Sequence, residues 1–352
     1  MDIVVSTFNN SKNNYGALFQ SSALYSFIKK MGYNVSYVTL EERGSKNQSY
    51  KTRLKAILKR VLLMPHAKKI KIRELKFKKF AEETQTRIVY GTKDELYKQP
   101  PEADVYISGS DQVWNPVAMH EDLFLAYAPP DSKKISYAAS MGREKIPAEN
   151  RERFAELISE YSAVSVREDT AAKVIKEFTT KKVNQNIDPV FLKSKSEWQK
   201  LEEPYGNLKF EKFILVYAIE WNPNFNAMLS DLKRKLGLPV ISINIGNFKK
   251  ICSDQVVYDA SPNEFLYLLS KAECVVATSF HGIALSVIYN KPFVALAGNN
   301  MPTRIQSLMR HFDIDVSKTL NYTEADFERI NEIILKDQKE AKEYLRNAIE
   351  NG

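Results

Sequence analysis

Cysteine is scarce in this chain: the 352 residues include only Cys252 and Cys274, far apart in the sequence. Two such cysteines cannot build the disulfide framework of a small secreted domain, and they fit a reducing compartment. Cys274 opens a predicted buried strand, so we interpret it as a small core residue. No apolar run reaches transmembrane length, and the N-terminus MDIVVSTFNN lacks the basic and apolar regions of a signal peptide. We therefore expect a cytoplasmic protein.

Two common signatures of bound cofactors are also absent from the sequence. No G-x-G-x-x-G segment occurs, which excludes the dinucleotide-binding fingerprint. No group of His, Cys and Asp residues has the spacing that metal ligands have in proteins. The sequence thus predicts neither a cofactor nor a metal site.

Acidic residues are nearly absent from residues 51–79, where twelve Lys or Arg accompany a single acid, Glu74. The whole chain has a formal charge of +8, which is less than the positive charge of this segment alone. The basicity of the protein therefore belongs to this one segment. Apolar residues recur there as on one face of a helix: Leu54, Ile57, Leu58, Val61 and Leu62. A second helix of the same kind is predicted over residues 68–83. Residues 51–83 are therefore predicted to form a basic helical arm.

This basic arm has two interpretations that the sequence leaves open. It could be a lid, packed on the first half of the chain, with a solvated basic face. It could also be an amphipathic surface that binds anionic lipid headgroups or a substrate carrying polyphosphate. Nucleic acid is not expected as a partner, because no recognised binding fold or interleaved aromatic residues accompany the charge.

Segments typical of strands and of helices alternate along both halves of the chain. Hydrophobic residues at 44% and charged residues at 27% are ordinary for a globular protein. The alternation predicts an α/β fold with two doubly wound, Rossmann-like domains facing a cleft. The first domain is predicted over residues 1–195 and the second over 213–322. A polar linker is predicted over 196–212 and a charged final helix over 323–352.

The stretch over residues 273–296 is typical of a parallel βαβ unit. It consists of a β-branched run, a polar turn at 278–282, a helix and a second apolar run. In such sheets, ligands bind beyond the carboxyl ends of the strands, against helix N-termini whose free N–H groups attract anions. Ser279 and His281 lie at that position. We favour an anion site here over a simple helix cap beside a surface histidine.

Polar residues follow other predicted strands as well. Asp111 lies in a run of small residues after one strand, which fits either a ligand loop or a turn in which Asp111 bonds to its own backbone. Arg167 stands at the end of another strand, and Arg304 lies just beyond the second strand of the βαβ unit. If the βαβ interpretation holds, Arg304 and His281 share one edge of the sheet.

Six short segments occur in a fixed order along the chain. They are Asn14-Tyr15-Gly16-Ala17, Ser108-Gly109-Ser110-Asp111, Ser136-Tyr137-Ala138-Ala139-Ser140, Ser165-Val166-Arg167-Glu168, Asp188-Pro189 and Ser279-Phe280-His281-Gly282. In this order and spacing they resemble the polysaccharide pyruvyl transferase family, from residue 2 to about residue 315. The resemblance implies a GT-B-like pair of Rossmann domains. It also implies transfer of an enolpyruvyl unit from phosphoenolpyruvate to a sugar, usually as a cyclic ketal in bacterial surface glycans such as capsule or exopolysaccharide.

The implied reaction assigns roles to these residues. A donor with a carboxylate and a phosphate needs several cationic or N–H groups, and ketal formation needs an acid, a base and help for departing phosphate. His281 is expected to act as acid or phosphate partner, and Asp111 as base or acceptor ligand. The expected donor-binding residues are Ser279, Gly282, Arg304, Arg167 and Lys291. The expected acceptor-binding residues are Asn14, Tyr15, Trp114 and Asn115.

The chain departs from the family at one position. Members commonly carry an arginine two residues before the histidine, and here that position is Ser279. Either Arg304, Lys291 or Arg143 replaces the lost guanidinium, or the donor is not phosphoenolpyruvate. The expected acceptor is a lipid-linked glycan, which would bring the protein to the inner face of the membrane as a peripheral protein.

Two rival functions fit the same fold. One is a GT-B glycosyltransferase that uses a nucleotide sugar, which would be stabilised by UDP- or GDP-sugars and not by phosphoenolpyruvate. The other is a scaffold at the membrane surface without catalytic activity, in which the basic arm is the working part.

Overall fold

The first half of the chain forms a parallel sheet from short runs of β-branched and aromatic residues. The computed structural model describes residues 1–41, 64–219, 225–245, 251–296 and 302–351. The strands of this half are β1 (Asp2–Ser6), β2 (Asn34–Leu40), β3 (Arg87–Tyr90), β4 (Val105–Ser108), β5 (Lys134–Ser136), β6 (Val164–Val166) and β7 (Val183–Gln185). The main sheet has the order β3-β2-β1-β4-β5, and isolated bridges join the β6-β7 pair to its β5 edge.

Helices and apolar clusters bury this sheet on both faces. Ile3 and Val5 of β1 belong to one apolar cluster and Val4 to another, so neighbouring side chains of the strand point into different cores. Burial on both faces is the usual state of a parallel sheet and explains its near-continuous apolar strands. The helices of this half are α1 (Tyr15–Lys30), α2 (Ala67–Thr84), α3 (Lys93–Lys98), α4 (Arg151–Ser159) and α5 (Asp169–Ile175).

The second half repeats the same plan. Its strands are β8 (Ile214–Tyr217), β9 (Val240–Ile243), β10 (Gln255–Val257), β11 (Cys274–Ala277) and β12 (Phe293–Ala295), after helix α6 (Lys195–Gln199). Its other helices are α7 (Phe225–Leu236), α8 (Pro262–Lys271), α9 (Phe280–Ile288), α10 (Thr303–His311) and α11 (Glu324–Glu350). The strand order is β10-β9-β8-β11-β12, all parallel. Single turns of 3-10 helix lie at Met64–His66, Glu121–Phe124, Ala148–Asn150, Pro189–Leu192 and Thr319–Asn321.

The two sheets share one topology, which confirms the predicted pair of doubly wound, Rossmann-like domains. The strand order reverses between β1 and β4 in the first sheet and between β8 and β11 in the second. In this kind of fold, ligands bind beyond the carboxyl ends of the strands at such a reversal point. The loop after β1 meets the loop after β9 across the molecule, where the side-chain amide of Asn13 donates to the Ile245 carbonyl at 3.3 Å.

Aromatic side chains join the two halves into one continuous core. Tyr15 of α1 stacks on Phe265 of α8 with ring centroids 4.5 Å apart, and its edge meets Tyr217 of β8 at 5.7 Å. The Tyr15 hydroxyl donates to the Ala260 carbonyl at 2.9 Å. Such aromatic pairs contribute about 0.5–1.5 kcal/mol each beyond their buried area. The floor of the cleft is therefore a packed apolar interface.

The predicted linker begins as an anchored helix. Ser194 caps α6 in a capping box with Glu197. Trp198 of this helix is fully buried, packs against Phe19 of α1, and donates its indole N–H to the Val190 carbonyl at 3.0 Å. The polar composition of the segment did not predict this helix, because a single buried tryptophan holds it in place while its other residues remain at the surface.

The predicted final helix, α11, returns to the first half of the chain. Thr323 caps it in a capping box, and Ser261 caps α8 in the same way. The Tyr344 hydroxyl donates to the Ser136 carbonyl at 2.7 Å, and the Gln338 amide donates to the Phe191 carbonyl at 2.6 Å. The last helix thus fastens the second half to the sheet of the first.

The basic arm can be followed from residue 64 onward, and its first predicted helix lies outside the described residues. The second predicted helix is confirmed as α2, whose buried face carries Phe77 and Phe80 into the shared core. Lys76 of α2 donates to both carboxylate oxygens of Glu264 in α8, at 2.8 and 2.7 Å. Within the described ranges, no helix is both long enough and apolar enough to cross a membrane.

Candidate active site between the two halves

His281 lies at the N-terminus of α9, at the carboxyl edge of the second sheet. The helix begins at Phe280, so the predicted turn over residues 278–282 is wrong: His281 already belongs to the first helical turn. Ser279 is the N-cap, and its hydroxyl accepts from the Gly282 N–H at 3.4 Å. This bond occupies the N–H group on which the expected donor-binding role of Gly282 depended. A Cβ at Gly282 would stand 3.0 Å from Tyr217 and Ala277, which gives this glycine a packing role.

Gly16 of α1 receives the His281 ring. A Cβ built on Gly16 would lie 2.1 Å from Nδ1 of His281, so any side chain there would occupy the space of the imidazole. Asn14 caps α1 by accepting from the Ala17 N–H at 3.2 Å. Two helix N-termini, those of α1 and α9, therefore converge at this ring, and both favour negative charge nearby.

Substitution of Gly16 by alanine should displace the His281 ring without altering the chemistry of any side chain. We expect turnover to fall about 10²-fold, as for a displacement of about 1 Å in an active site, and the free energy of unfolding to fall by about 1–3 kcal/mol. Steady-state kinetics and urea unfolding measure the two effects. Gly206→Ala is the matched control, because a Cβ at Gly206 meets nothing within 4 Å. Equal behaviour of the two variants would contradict the contact.

Asp188 is the buried carboxylate of the site. It accepts from Arg167 Nη1 at 2.5 Å, from the Ser110 hydroxyl at 3.2 Å and from the Val190 N–H at 3.0 Å, and it stands 3.5 Å from His281 Nε2. Burial alone would raise the pKa of Asp188, but His281 and Arg167 outweigh burial and hold it well below its usual range. An ionised Asp188 therefore faces the His281 ring, at a distance too long for a hydrogen bond to its buried Nε2.

Arg167 is the buried cation of the site. It donates from Nε to Glu168 at 3.0 Å, and its guanidinium lies over the Phe280 ring at 4.3 Å from the centroid. Burial would lower the pKa of Arg167, but the carboxylates of Glu168 and Asp188 raise it, so the guanidinium stays charged. Its Nη2 is buried and has no hydrogen-bond partner among the described residues. One strong hydrogen-bond donor, Nη2 of Arg167, thus remains available beside the first turn of α9.

A cavity of about 100 Å³ adjoins Arg167, and we call it the arginine cavity. Its lining includes Arg167, Asp188, Phe280, Arg304, His311 and Asp337. The Arg304 guanidinium reaches the Gln112 side chain and donates to the amide oxygen at 3.0 and 3.1 Å once that amide is oriented to accept. Arg304 and His281 thus lie on the same side of the second half, one lining the cavity and the other beside its Asp188 wall.

A second cavity of about 320 Å³ lies in the first half, and we call it the polar cavity. Its lining includes Phe8, Asn14, Asp111, Gln112, Asn115 and His120. One Asp111 oxygen accepts from the Gln112 N–H at 2.9 Å, the local turn that the sequence allowed. Gln112 lines the polar cavity and contacts Arg304 of the arginine cavity, so the two cavities meet at this pair.

Comparison with known sequences decides the family. A sequence model described as polysaccharide pyruvyl transferase matches residues 14–300, most of the chain. The chain belongs to this family. Membership places it among transferases that act on polysaccharide, and the matched range contains His281, Gly16, Arg167 and Asp188. A search of curated proteins finds no match.

Solved structures share the fold of this pyruvyl transferase family member. A Listeria monocytogenes protein named as a UDP-N-acetylglucosamine 2-epimerase aligns with a TM-score of 0.54 at 9% identity, covering 100% of this chain and 97% of that one. MnaA of S. aureus with UDP aligns with a TM-score of 0.54 at 12% identity, covering 98% and 96% of the two chains. At such low identity the similarity establishes the GT-B arrangement alone.

The structure places three predicted ligand residues of this transferase away from both cavities. Tyr15 and Trp114 are buried in the core, where Tyr15 joins the two halves and Trp114 stacks on Phe124 at 6.1 Å. We therefore withdraw their acceptor-binding role. Lys291 precedes β12 and donates to the Ala272 carbonyl at 2.8 Å, at the opposite edge of the sheet from His281. Lys291 cannot replace the family arginine.

Two residues of the site escaped the sequence reasoning. In the sequence, Asp188 stands out only as part of an Asp-Pro segment. Its position directly before Pro189 is typical of a helix cap, which it is in the structure. Gln112 gave no signal beyond following Asp111. The other predicted residues Asn14 and Asn115 lie with Asp111 on the polar cavity, and their roles stay predictions.

Proposed function

We propose that this family member transfers a pyruvyl group from phosphoenolpyruvate to a pair of hydroxyls on one sugar, forming a cyclic ketal in a bacterial surface polysaccharide. One observation carries the proposal. The His281 ring is held between Gly16 and the ionised Asp188, beside a buried guanidinium that retains an unpaired donor.

The arginine cavity is suited to the two anionic groups of such a donor. Arg167 offers Nη2, but its charge is already balanced by Asp188 and Glu168. An incoming carboxylate and phosphate therefore need further positive charge, which Arg304 and the N-terminus of α9 supply. Arg167 and Arg304 are the cations that we assign to donor binding in place of the family arginine at Ser279.

In the proposed reaction His281 supplies the proton. A proton passes from the imidazole to the methylene carbon of the donor, and C2 becomes electrophilic. One sugar hydroxyl adds its oxygen to C2 and releases its proton to a base. A second hydroxyl then adds its oxygen to C2 and returns a proton to His281. Phosphate leaves with the bonding electron pair and takes the proton held by the base, so that donor and diol give ketal and inorganic phosphate. His281 acts as the acid, and Asp111 is the base on the acceptor side.

The polar cavity is suited to the acceptor. Apart from Asp111 its named lining residues are neutral amides, a histidine and the Phe8 ring, a set that can hydrogen-bond sugar hydroxyls and pack on a sugar face. Its junction with the arginine cavity at Gln112 and Arg304 would bring hydroxyls and donor carbon together. We assign acceptor binding to Asn14 and Asn115.

The donor is tested by incubating the protein with a synthetic lipid-linked glycan, a chelator and phosphoenolpyruvate. Mass spectrometry should detect the glycan with one added pyruvate ketal, together with inorganic phosphate in equal amount. The chelator should have no effect, because within the described ranges no group of His, Cys, Asp or Glu could hold a metal. Parallel reactions contain UDP- or GDP-sugars in place of phosphoenolpyruvate. Turnover with a nucleotide sugar alone would refute the proposal and favour glycosyl transfer.

A further inference from the structure

The outward side of α2 combines cationic and apolar side chains, and we call it the outer face of α2. Its residues are Lys68, Lys69, Lys71, Ile72, Leu75, Lys78 and Lys79, all exposed. Ile72 and Leu75 lie three positions apart, so they are neighbours on the helix surface. Leu75 is 57% exposed, and Met64 just before the helix is 66% exposed. Large apolar side chains therefore lie in solvent among lysines.

The opposite side of α2 is fully engaged with the protein. Phe77 and Phe80 are buried, and Arg73 donates to the Asn244 carbonyl at 2.6 Å. Lys76 is paired with Glu264 at 2.7 Å. Because this side anchors the helix to both halves, the outer face has a fixed direction and no role in holding the fold together.

The charges of the outer face are only weakly paired with their neighbours. Lys71, Lys78 and Lys79 approach Glu74, Glu82 and Glu83 at 3.6, 3.8 and 3.6 Å, as pairs on one helix with exposed ammonium groups. Such pairs contribute little and leave the ammonium groups hydrated. The surface is strongly cationic where it is also apolar.

We propose that the outer face of α2 binds an anionic lipid bilayer. Lysines at the rim attract anionic headgroups, and Ile72, Leu75 and Met64 insert between the headgroups, as on amphipathic interfacial helices. A merely solvated lid would explain the lysines, but not the exposed apolar residues among them. This binding does not depend on the proposed reaction.

The bilayer would then lie beside the mouth of the cleft. Asn244, the residue that Arg73 contacts, directly follows β9 at the carboxyl edge of the second sheet. An acceptor carried on a lipid would thus reach the polar cavity without leaving the membrane. This placement, unlike the binding itself, rests on the proposed function.

Co-sedimentation with phosphatidylcholine vesicles, with and without phosphatidylglycerol, tests the inference. Wild-type protein should bind only the anionic vesicles, and less as salt rises. The triple variant Lys71→Gln, Lys78→Gln, Lys79→Gln should bind about 10- to 100-fold more weakly. Its matched control carries Lys336→Gln, Lys339→Gln and Lys342→Gln on the exposed side of α11 and loses the same charge.

A second variant separates insertion from charge. Ile72→Gln with Leu75→Gln should weaken binding to anionic vesicles while leaving net charge and the salt dependence unchanged. Thermal unfolding confirms that each variant is folded. Equal loss in both triple variants, or undiminished binding by the α2 variants, would overturn the inference. The vesicles contain neither glycan nor donor, so a failed pyruvyl transfer assay leaves this result unaffected.

Discussion

Replacement of His281 by glutamine should reduce the rate of pyruvyl transfer about 10²- to 10⁴-fold, the usual contribution of a positioned acid or base. Glutamine is similar in size and can hydrogen-bond to Asp188, but it cannot release a proton at neutral pH. The space against Gly16 remains filled, so the fold should be retained. Rates are measured from phosphate release at saturating donor, and thermal unfolding checks the stability of the variant.

His66 provides the matched control for this experiment. It stacks on Tyr258 at 3.9 Å, directly before α2, and lines neither cavity. His66→Ala should keep normal turnover. If His281→Gln also kept it, then the ring between Gly16 and Asp188 would be structural, and the acid would have to be another group.

Replacement of Arg167 by methionine should lower the free energy of unfolding by about 3–5 kcal/mol, because it leaves the carboxylates of Asp188 and Glu168 buried without their cation. Urea unfolding followed by tryptophan fluorescence measures the change. Arg310→Met is the control: Arg310 pairs with Asp169 at 2.8 Å on the surface, where its side chain is 51% exposed. Loss of such a surface pair should cost about 0–1 kcal/mol.

The loss of unfolding free energy in the Arg167→Met variant should also depend on pH. The pKa of Asp188 is depressed in the folded protein, so its pairing stabilises the fold at neutral pH and loses effect as pH falls through that pKa. Without Arg167, Asp188 loses one of the partners that depress its pKa, so the carboxyl is protonated at a higher pH than in the wild type. The difference in unfolding free energy between wild type and variant should hold from about pH 7 to about pH 5 and shrink as the pH falls below about 4. A deficit that does not change with pH would instead indicate lost packing against Phe280.

The alternating strands and helices were enough to predict the fold, because parallel strands buried on both faces leave a strong apolar pattern. The start of α9 was not predictable in the same way. The turn interpretation followed from the polar character of residues 278–282, and Phe280, His281 and Gly282 also have modest helix propensity. Ser279 as N-cap and the packing of the whole segment against Gly16 and Tyr217 override propensity there.

The candidate site was predictable where it depended on strand ends and not where it depended on packing. Arg167, Asp111 and His281 follow strands and do lie at the cleft. An aromatic residue in a family segment fits a ligand site or a core equally well, and only tertiary contacts could place Tyr15 in the core. Lys291 is different. The βαβ interpretation already put Lys291 at the amino edge of β12, on the other side of the sheet from His281. The expected donor-binding role of Lys291 was therefore inconsistent with that interpretation.

Contacts between residues far apart in the sequence could not be predicted from the sequence alone. His281 meets Asp188 and Gly16 from three separate elements, and no local pattern links these positions. Asp188 itself looks like an ordinary cap before proline. Its importance appears only when Arg167, Ser110 and His281 surround the same carboxylate.

The aromatic core between the halves also constrains how the enzyme can recognise its substrates. A hinge motion would have to separate Tyr15 from Phe265 and expose both rings to water, which opposes opening. The position of His281 against Gly16 is therefore fixed during folding, before any substrate arrives. Such a preorganised centre spends no binding energy on closure, and it forgoes the selectivity that induced fit provides. If the polar cavity binds the acceptor as proposed, discrimination between competing sugars would reside in its shape and hydrogen-bonding groups.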